Sequence, residues 1–495
     1  MSKKEQPKQK EQTVGITVKK ADDSGEWYSQ VLTKADLIDY TDVSGCYIYK
    51  PASYSIWEKV QVFMNKHFAA LGVKNSYFPL FIPEKLLQTE AKHVAGFTPE
   101  VAWVTHSGET KLAERLAIRP TSETIMYAAY KKWIRSHRDL PLLLNQWNNV
   151  VRWEFKNPVP FIRAREFLWQ EGHTAHKNKE DALKEVLTIL DIYEQTYREL
   201  YAIPVIKGVK TDSEKFAGAD MTTTLEIFLP SGKAIQGCTS HFLGQNFSKA
   251  FDITFLDEKE QRSNIWQNSW GYSIRSIGAM ILMHGDDKGL VMPPAVAPVH
   301  VVIVPIIFDD TKTKVLAACE KIKKELEKDG HVVHLDDRDE CSAGWKFNEW
   351  ELKGIPLRIE VGPKDIDKQQ AVLVRRDTGK KEFVKLKDLD VAVTKTLHDI
   401  QLNLYETART FLKNSIVMAK TASELKKAID AKKMVECSWC GSAACEEKFG
   451  KESAAKILCI PYIDNDSSKG TIPAQGNCAL CGKAGKHAVY VGRSY

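Results

Sequence analysis

Arg163, Arg165, Phe167, Trp169, Glu171 and His173 follow one another at every second position. On an extended strand alternate side chains share a face, so two guanidinium groups, two aromatic rings, a carboxylate and an imidazole are expected on one surface. Upstream, Arg152 and Glu154 share a face while Val151, Trp153 and Phe155 share the other, and the proline-broken segment Lys156 to Ile162 reads as the connecting loop. No apolar core accepts such a hairpin face. It suits a ligand that carries phosphates, a flat ring and a charged amine, because guanidinium forks bind phosphate and carboxylate oxygens in pairs and aromatic rings stack on flat bases.

Elements on either side must hold that hairpin. A capping box at Ser55 and Glu58, an apolar series at Ile56, Val60, Phe63 and Leu71, and a stop at Gly72 predict an amphipathic helix. A strand is expected over Ser76 to Leu80. RPTSE at Arg119 to Glu123 opens a second helix. Strand-rich segments follow from Thr222 to Leu229, through KAIQGCTSHFLGQNF, and into SWGYSIRSIGAMIL. Antiparallel strands with helices beside them make an α+β domain. After the linker PPAVAP at Pro293 to Pro298, strands at Val299 to Ile306, His331 to Leu335 and Ile355 to Val361 alternate with helices at Thr311 to Lys328 and Trp345 to Leu352, the pattern of an α/β domain. A charged helix from Asp388 to Ala428, with one break, leads to a cysteine-rich end.

With 495 residues, the chain has room for about three domains. Its composition, 43% hydrophobic and 27% charged, is that of a well-cored globular protein. The longest apolar run, Ala295 to Phe308, is broken by Pro298, His300 and Pro305 and is too short to span a membrane. MSKKEQPKQKEQ at the start has no apolar signal core and no arginines, so a cytoplasmic location is expected. The net charge of +6 is compatible with a phosphate-rich partner. Of ten cysteines, six crowd the end: Cys437, Cys440, Cys445, Cys459, Cys478 and Cys481. Without a signal peptide, such clustering favours metal over disulfides. Spacing alone selects the pairs Cys437 with Cys440 and Cys478 with Cys481.

Taken together, the chain resembles the class II aminoacyl-tRNA synthetases, and within them the prolyl-tRNA synthetases of the archaeal and eukaryotic type. The helix ending near Leu71 and the segment SYFPL with Pro79 are similar to motif 1, the dimer-interface element. Val151 to Glu154 with Arg163 and Phe167 resembles motif 2, and Gly271 to Arg275 resembles motif 3. RPTSE, FLWQEGH, QGCTSH and the terminal GRSY narrow the class to the prolyl family. The resemblance implies an α+β catalytic domain (the class II antiparallel sheet with flanking helices) over 21–297 after a disordered tail at 1–20. It also implies an α/β anticodon-binding domain over 298–405 and a small zinc-binding α/β domain over 406–495.

It implies a dimeric enzyme that joins L-proline to ATP, releases pyrophosphate and passes proline to tRNA(Pro). Arg152 would bridge the proline carboxylate and the α-phosphate, Arg163 and Arg275 would hold the far end of a bent triphosphate, and Phe167 would lie beneath adenine with Arg275 above it. Glu154 would accept from the adenine amine. Gln236, Thr239 and Ser273 would line the nucleotide, Gln236 with its Mg2+, and Ala164 stands where some relatives carry a hydroxyl near the triphosphate. For proline, Glu123 and Thr121 would meet the ring nitrogen, Trp169, His173, Phe97 and His241 would enclose the ring, and Glu171 would orient His173 or the nitrogen. Such a pocket discriminates by shape, so alanine or cysteine would be mischarged. Arg165 shares the substrate face and is unassigned, with phosphate, tRNA and a structural carboxylate as its alternative partners.

In the family a CxxxxC pair maps onto Cys440 and Cys445, with Cys478 and Cys481 completing the zinc set and Cys437 as the alternative ligand. The late pair, CxC in relatives, is widened here to CxxC. The terminal carboxylate of Tyr495 would fold back toward the active site. Arg338, Lys346, Lys364 and Arg375 are expected to meet the tRNA anticodon. Cys238 with His241 raises the alternative of an active-site zinc, as in threonyl synthetases. A threonyl-type enzyme and a non-catalytic synthetase-like tRNA binder are the competing readings.

Overall fold

The computed structural model describes residues 15–93, 100–154, 156–308 and 310–495. Phe97 and Phe155 lie outside the described residues. Two compact units emerge, one of Met1–Asp39, Tyr49–Ser53 and His284–Asn403, the other of Tyr40–Ile48, Tyr54–Met283 and Leu404–Tyr495. Among the described residues, no helix is long and apolar enough to cross a membrane.

The larger unit is organised by an eleven-stranded sheet. From one edge it runs Ile416–Met418, Met434–Trp439, His487–Ser494, Lys456–Pro461, Ile206–Val209 and Met221–Phe228. It continues with Lys233–Gly244, Trp266–Ser273, Glu166–His176, Leu142–Val151 and Lys74–Asn75. Most neighbours are antiparallel. The segment expected as a separate zinc domain thus contributes four strands to the same sheet as the hairpin, joined where Ile460 pairs with Val209 and Lys233 with Arg493.

Local chemistry explains where elements begin and end. Helix Pro51–Ala70 starts a turn before the Ser55 capping box, with proline in the first turn, where its missing N–H costs nothing. It stops as expected: Gly72 takes φ +81° and Val73 N–H donates to Phe68 O at 3.0 Å, the Schellman closure. Ser76 to Leu80 is not a strand. Phe78 N–H goes to the Gln146 side chain at 3.1 Å and Phe78 O to Arg119 Nη1 at 2.7 Å, so side chains take the place of a ladder. The first hairpin strand ends at Val151, earlier than its alternation suggested, because the N–H of Arg165 is spent on Gly45 O at 2.8 Å. The connecting loop therefore runs from Arg152 to Arg165, and Trp153, expected to pack, is exposed.

Helix Lys179–Glu199, absent from the sequence reading, is capped by Asn178, which accepts from Asp181 N–H at 2.8 Å. Ala182, Val186, Ile189, Tyr193 and Tyr197 recur at helical spacing and are buried. Tyr193 and Tyr197 pack on Tyr272 with ring centroids 5.4 and 5.3 Å apart, and each fully buried large side chain contributes about 1.5–3 kcal/mol.

The smaller unit contains a five-stranded sheet in the order Val333–Leu335, Val301–Pro305, Leu357–Val361, Gln370–Arg375 and Lys381–Lys385, the first two pairings parallel and the rest antiparallel. Helix Lys312–Lys328 buries Val315, Cys319, Ile322 and Leu326 in its core. The expected RNA contacts need correction here. Lys346 is buried and donates to Asp336 O at 3.0 Å, Arg338 is held by Asp336 and Glu349, and Arg375 by Asp377. These three charges are satisfied internally, and Lys364 is the exposed one of the four. The charged segment after Asp388 forms two helices, Leu389–Ser415 and Ala422–Asp430, separated by strand Ile416–Met418.

Candidate active site

Rows of paired residues cross the sheet and build one polar surface. Thr222 pairs with His241, His241 with Ser269 and Ser269 with His173. One step along the strands, Thr224, Thr239, Gly271, Glu171 and Gln146 form a second row. Rows two residues apart point to the same side. Gln236 is three residues from Thr239 and would face away on a regular strand. Between Leu225 and Glu226 the register slips, so that Glu226 pairs with Gln236 and Gly237 is skipped, and this bulge returns Gln236 to the substrate side. A Cβ at Gly237 would stand 3.0 Å from Tyr197. Cys238, three residues before His241 with no bulge between them, has the opposite phase and pairs with Tyr272, and among the described residues neither Cys238 nor His241 belongs to a group placed to hold a metal, which speaks against a shared active-site zinc.

A cavity of about 260 Å³ opens on this surface, lined by Thr121, Glu123, Arg152, Trp169, His173 and Arg275 among others. A second, of about 250 Å³, shares Glu214, Gln236 and Arg275 with it and adds Arg163, Lys210 and Tyr495. Arg152 Nε donates to Pro120 O at 3.0 Å, and its guanidinium lies 5.2 Å from the Trp169 ring and 5.6 Å from that of Phe167. Arg152 is thus the cation beside the ring expected beneath adenine. Arg275 donates to Ile162 O at 3.0 Å and Gln236 O at 3.2 Å. Burial lowers the pKa of Arg275, and the charges of Arg152 and Arg163 lower it further. Three converging guanidinium groups that repel one another form a site for a polyanion.

At the other end the chemistry changes sign. Glu123 is buried and accepts the Thr121 hydroxyl. Glu171 accepts from Ser122 N–H at 3.1 Å, Gln146 at 2.9 Å, Asn148 at 2.8 Å and His173 Nε2 at 3.0 Å. Burial raises its pKa, but these donors outweigh burial and hold the carboxyl well below its ordinary range. His173 shows the mirror case. Burial opposes its charge, yet Glu123 and Glu171 prevail and its pKa is raised. His241 is pushed down to about 3 by burial and by His173, and stays neutral beside Thr222 Oγ1 at 2.9 Å. Glu123, Glu171 and His173 lie close enough to hold a metal. The oxygens of Glu171 are already taken by donors, so this end suits an ammonium group better.

Of the expected residues, Thr121, Glu123, Arg152, Phe167, Trp169, Glu171, His173, Gln236, Thr239, His241, Ser273 and Arg275 line the first cavity, and Arg163 lines the second. Glu154 is exposed in the turn after the strand and lines neither, although its charge is felt by Arg152. Ala164 is buried and also lines neither. Arg165 leaves the substrate face: it lies 4.7 Å over Trp153 and donates to Ser44 O at 3.1 Å. Phe216, Thr222 and Ser269 were not anticipated. Thr222 and Ser269 are recognisable only from cross-strand register, and Phe216 sits on a loop.

In the cysteine-rich segment, Cys440, Cys445, Cys478 and Cys481 have sulfurs all within 4.8 Å of one another. Cys445 and Cys478 are 3.5 Å apart and Cys440 and Cys481 3.7 Å. Tetrahedral zinc with Zn–S bonds of about 2.3 Å separates its sulfurs by about 3.8 Å, so the four thiols fit that ion. Cys437 lies outside the group, which departs from the choice made by spacing alone.

Family models match three regions: a class II tRNA synthetase core domain (G, H, P, S and T) over 104–281, an anticodon binding domain over 300–396, and a prolyl-tRNA synthetase C-terminal domain over 422–495. The chain is 49% identical over 493 residues to the cytoplasmic proline–tRNA ligase of Arabidopsis thaliana, covering 98% of this chain and 92% of that one. It is also 49% identical to the proline–tRNA ligase of Alkaliphilus oremlandii, covering 96% of each. The crystal structure of prolyl-tRNA synthetase from Cryptosporidium parvum complexed with halofuginone and AMPPNP superposes with a TM-score of 0.93 at 48% identity, covering 97% of this chain and all of that one.

Proposed function

The chain belongs to the prolyl-tRNA synthetase family, and from that premise we propose how its residues divide the work of ATP-dependent attachment of proline to tRNA. The observation that carries the assignment is that Arg152 and Arg275 line the cavity that holds Thr121, Glu123 and His173, while Arg163 lines the second cavity, which shares Arg275 with the first. In the first step the proline carboxylate attacks the α-phosphate of ATP and pyrophosphate leaves; in the second, proline passes to the terminal adenosine of tRNA(Pro). Arg152 stands between the two substrates and neutralises both the carboxylate and the α-phosphate. Arg163 and Arg275 hold the leaving phosphates, and Phe167, Thr239 and Ser273 hold the nucleoside, whose adenine amine Glu154 would meet from the turn after the strand. Glu123 and Thr121 meet the proline ammonium, Trp169 and His241 wall the ring, and Glu171 fixes His173. Catalysis is positioning and charge stabilisation, without a protein nucleophile.

Gln236 would hold Mg2+ through its side-chain oxygen, and the ion would offset the charge of the phosphates. Cys440, Cys445, Cys478 and Cys481 would hold a structural zinc. The domain limits at residues 297 and 405, a homodimer formed through the Pro51–Ala70 region and a cytoplasmic location complete the proposal. ATP–pyrophosphate exchange with each of the twenty amino acids tests it: proline alone should support rapid exchange. Arg152→Ala should lower the rate by about 10²–10³ in folded protein. Folded wild-type protein without proline-dependent exchange would refute the reading.

A further inference from the structure

The loop between strands Ile206–Val209 and Met221–Phe228 brings two residues to the substrate cavity, Glu214 and Phe216. Phe216 packs against His241 with ring centroids 4.8 Å apart, and its N–H donates at 2.9 Å to Thr222 Oγ1, the same hydroxyl that meets His241. Where this loop stands therefore sets one wall of the amino-acid pocket. Its first half is held from the C-terminal part of the chain. Glu446, next to Cys445 on helix Ala443–Ser453, accepts from Thr211 Oγ1 and Ser213 Oγ, each at 2.5 Å. Lys456 donates to Glu214 at 2.7 Å. Within the loop, Glu214 and Lys215 N–H bind back to Thr211 O at 3.1 and 2.9 Å, so fixing Thr211 fixes the turn that follows.

We propose that Glu446 is a positioning residue for proline binding: by clamping Thr211 and Ser213 it sets the place of Glu214 and Phe216 in the pocket. A carboxylate suits the task because it is acceptor-only and takes both hydroxyls at once. The inference rests on the assignment of this cavity to proline and ATP.

Full-length protein is tested by proline-dependent exchange kinetics and by hydrogen exchange of the amides in residues 211–219. Glu446→Ala should raise KM for proline about tenfold, change kcat much less, and speed amide exchange in that segment. Glu446→Gln, whose amide can still bridge two hydroxyls, should restore most of the affinity. Thr211→Val combined with Ser213→Ala removes the same bonds from the loop side and should reproduce Glu446→Ala. That double variant decides the matter if Glu446→Ala fails to fold. An unchanged KM for proline in the folded variants would overturn the proposal, and so would equal impairment by alanine and glutamine. Wild-type exchange that requires proline and is lost in Arg152→Ala supports the site assignment whatever the Glu446 variants do, so the two failures are distinguishable.

Discussion

Glu171 and His173 stand two residues apart on one strand face and share a hydrogen bond of 3.0 Å between side chains that are both almost wholly buried. Tyr127 closes the far side of the imidazole, its hydroxyl 3.2 Å from Nδ1, and Glu123 adds a second negative charge. The pair is a fixed wall of the pocket whose charges depend on each other.

That dependence gives stability a pH signature. The folded pKa of His173 is raised, so its contribution is full below about 6.5 and is lost as pH rises through the folded value. The folded pKa of Glu171 is lowered, so its contribution is present above about 4.3 and is lost as pH falls through the folded value. Thermal unfolding should show the midpoint falling from mildly acidic toward alkaline pH. In Glu171→Gln the alkaline fall should shrink; a Gln variant with the wild-type slope would contradict the assignment.

Arg165 is separated from the substrates, so its loss should be felt in folding alone. Removing its contact with Trp153 and its bond to Ser44 O in Arg165→Ala should cost about 1 kcal/mol. KM for ATP and for proline should stay at wild-type values. Gly45 accommodates this packing with φ +85°, and a Cβ there would meet Arg165 Cγ at 2.8 Å. Gly45→Ala should therefore destabilise the protein as well, measured by chemical denaturation.

Lys210 and Glu226 form a buried ion pair at 2.6 Å, each side chain 3% exposed, with Thr224 Oγ1 also donating to Glu226 and Leu458 O accepting from Lys210. Burial opposes the charge on Lys210, but Glu226 prevails and its pKa is raised. Lys210→Met would leave an uncompensated carboxylate and should cost about 3–5 kcal/mol. Adding Glu226→Gln should recover part of that loss in a double-mutant cycle of denaturation free energies.

The cysteine geometry separates five candidates into four and one. Metal content measured by atomic emission should be one zinc per chain in wild-type protein and in Cys437→Ser, and near zero in Cys478→Ser. The Cys478→Ser protein should also melt at a lower temperature, since a structural zinc binds the folded state preferentially.

Much of the site was readable because strand periodicity carries it. Phe167, Trp169, Glu171 and His173 occupy the face that their spacing indicated. The periodic reading failed where a distant group intervened: Gly45 O takes the N–H that would have prolonged the hairpin, so Arg163 and Arg165 fall on a loop and part company. It would have failed again at Gln236 and Thr239, where the bulge at Gly237 was invisible and family resemblance supplied both residues. Alternation alone could not place Phe216, which sits on a loop whose first half, at Thr211 and Ser213, is bonded to Glu446 more than two hundred residues away. Single basic residues in the smaller unit were the poorest guide, since Arg338, Lys346 and Arg375 turned out to have carboxylate or carbonyl partners within the unit.

The unbroken sheet has a consequence for biosynthesis. Strand Ile206–Val209 has Lys456–Pro461 as one of its two neighbours, and the Lys210 ammonium waits for a carbonyl 248 residues later in the chain. At roughly 5–20 residues per second of translation, that delay is on the order of tens of seconds. During it, the nascent sheet has an open edge beside the substrate loop, with unpaired N–H and C=O groups that invite wrong partners. The sheet beside the substrate loop is therefore complete only after Lys456–Pro461 has been made.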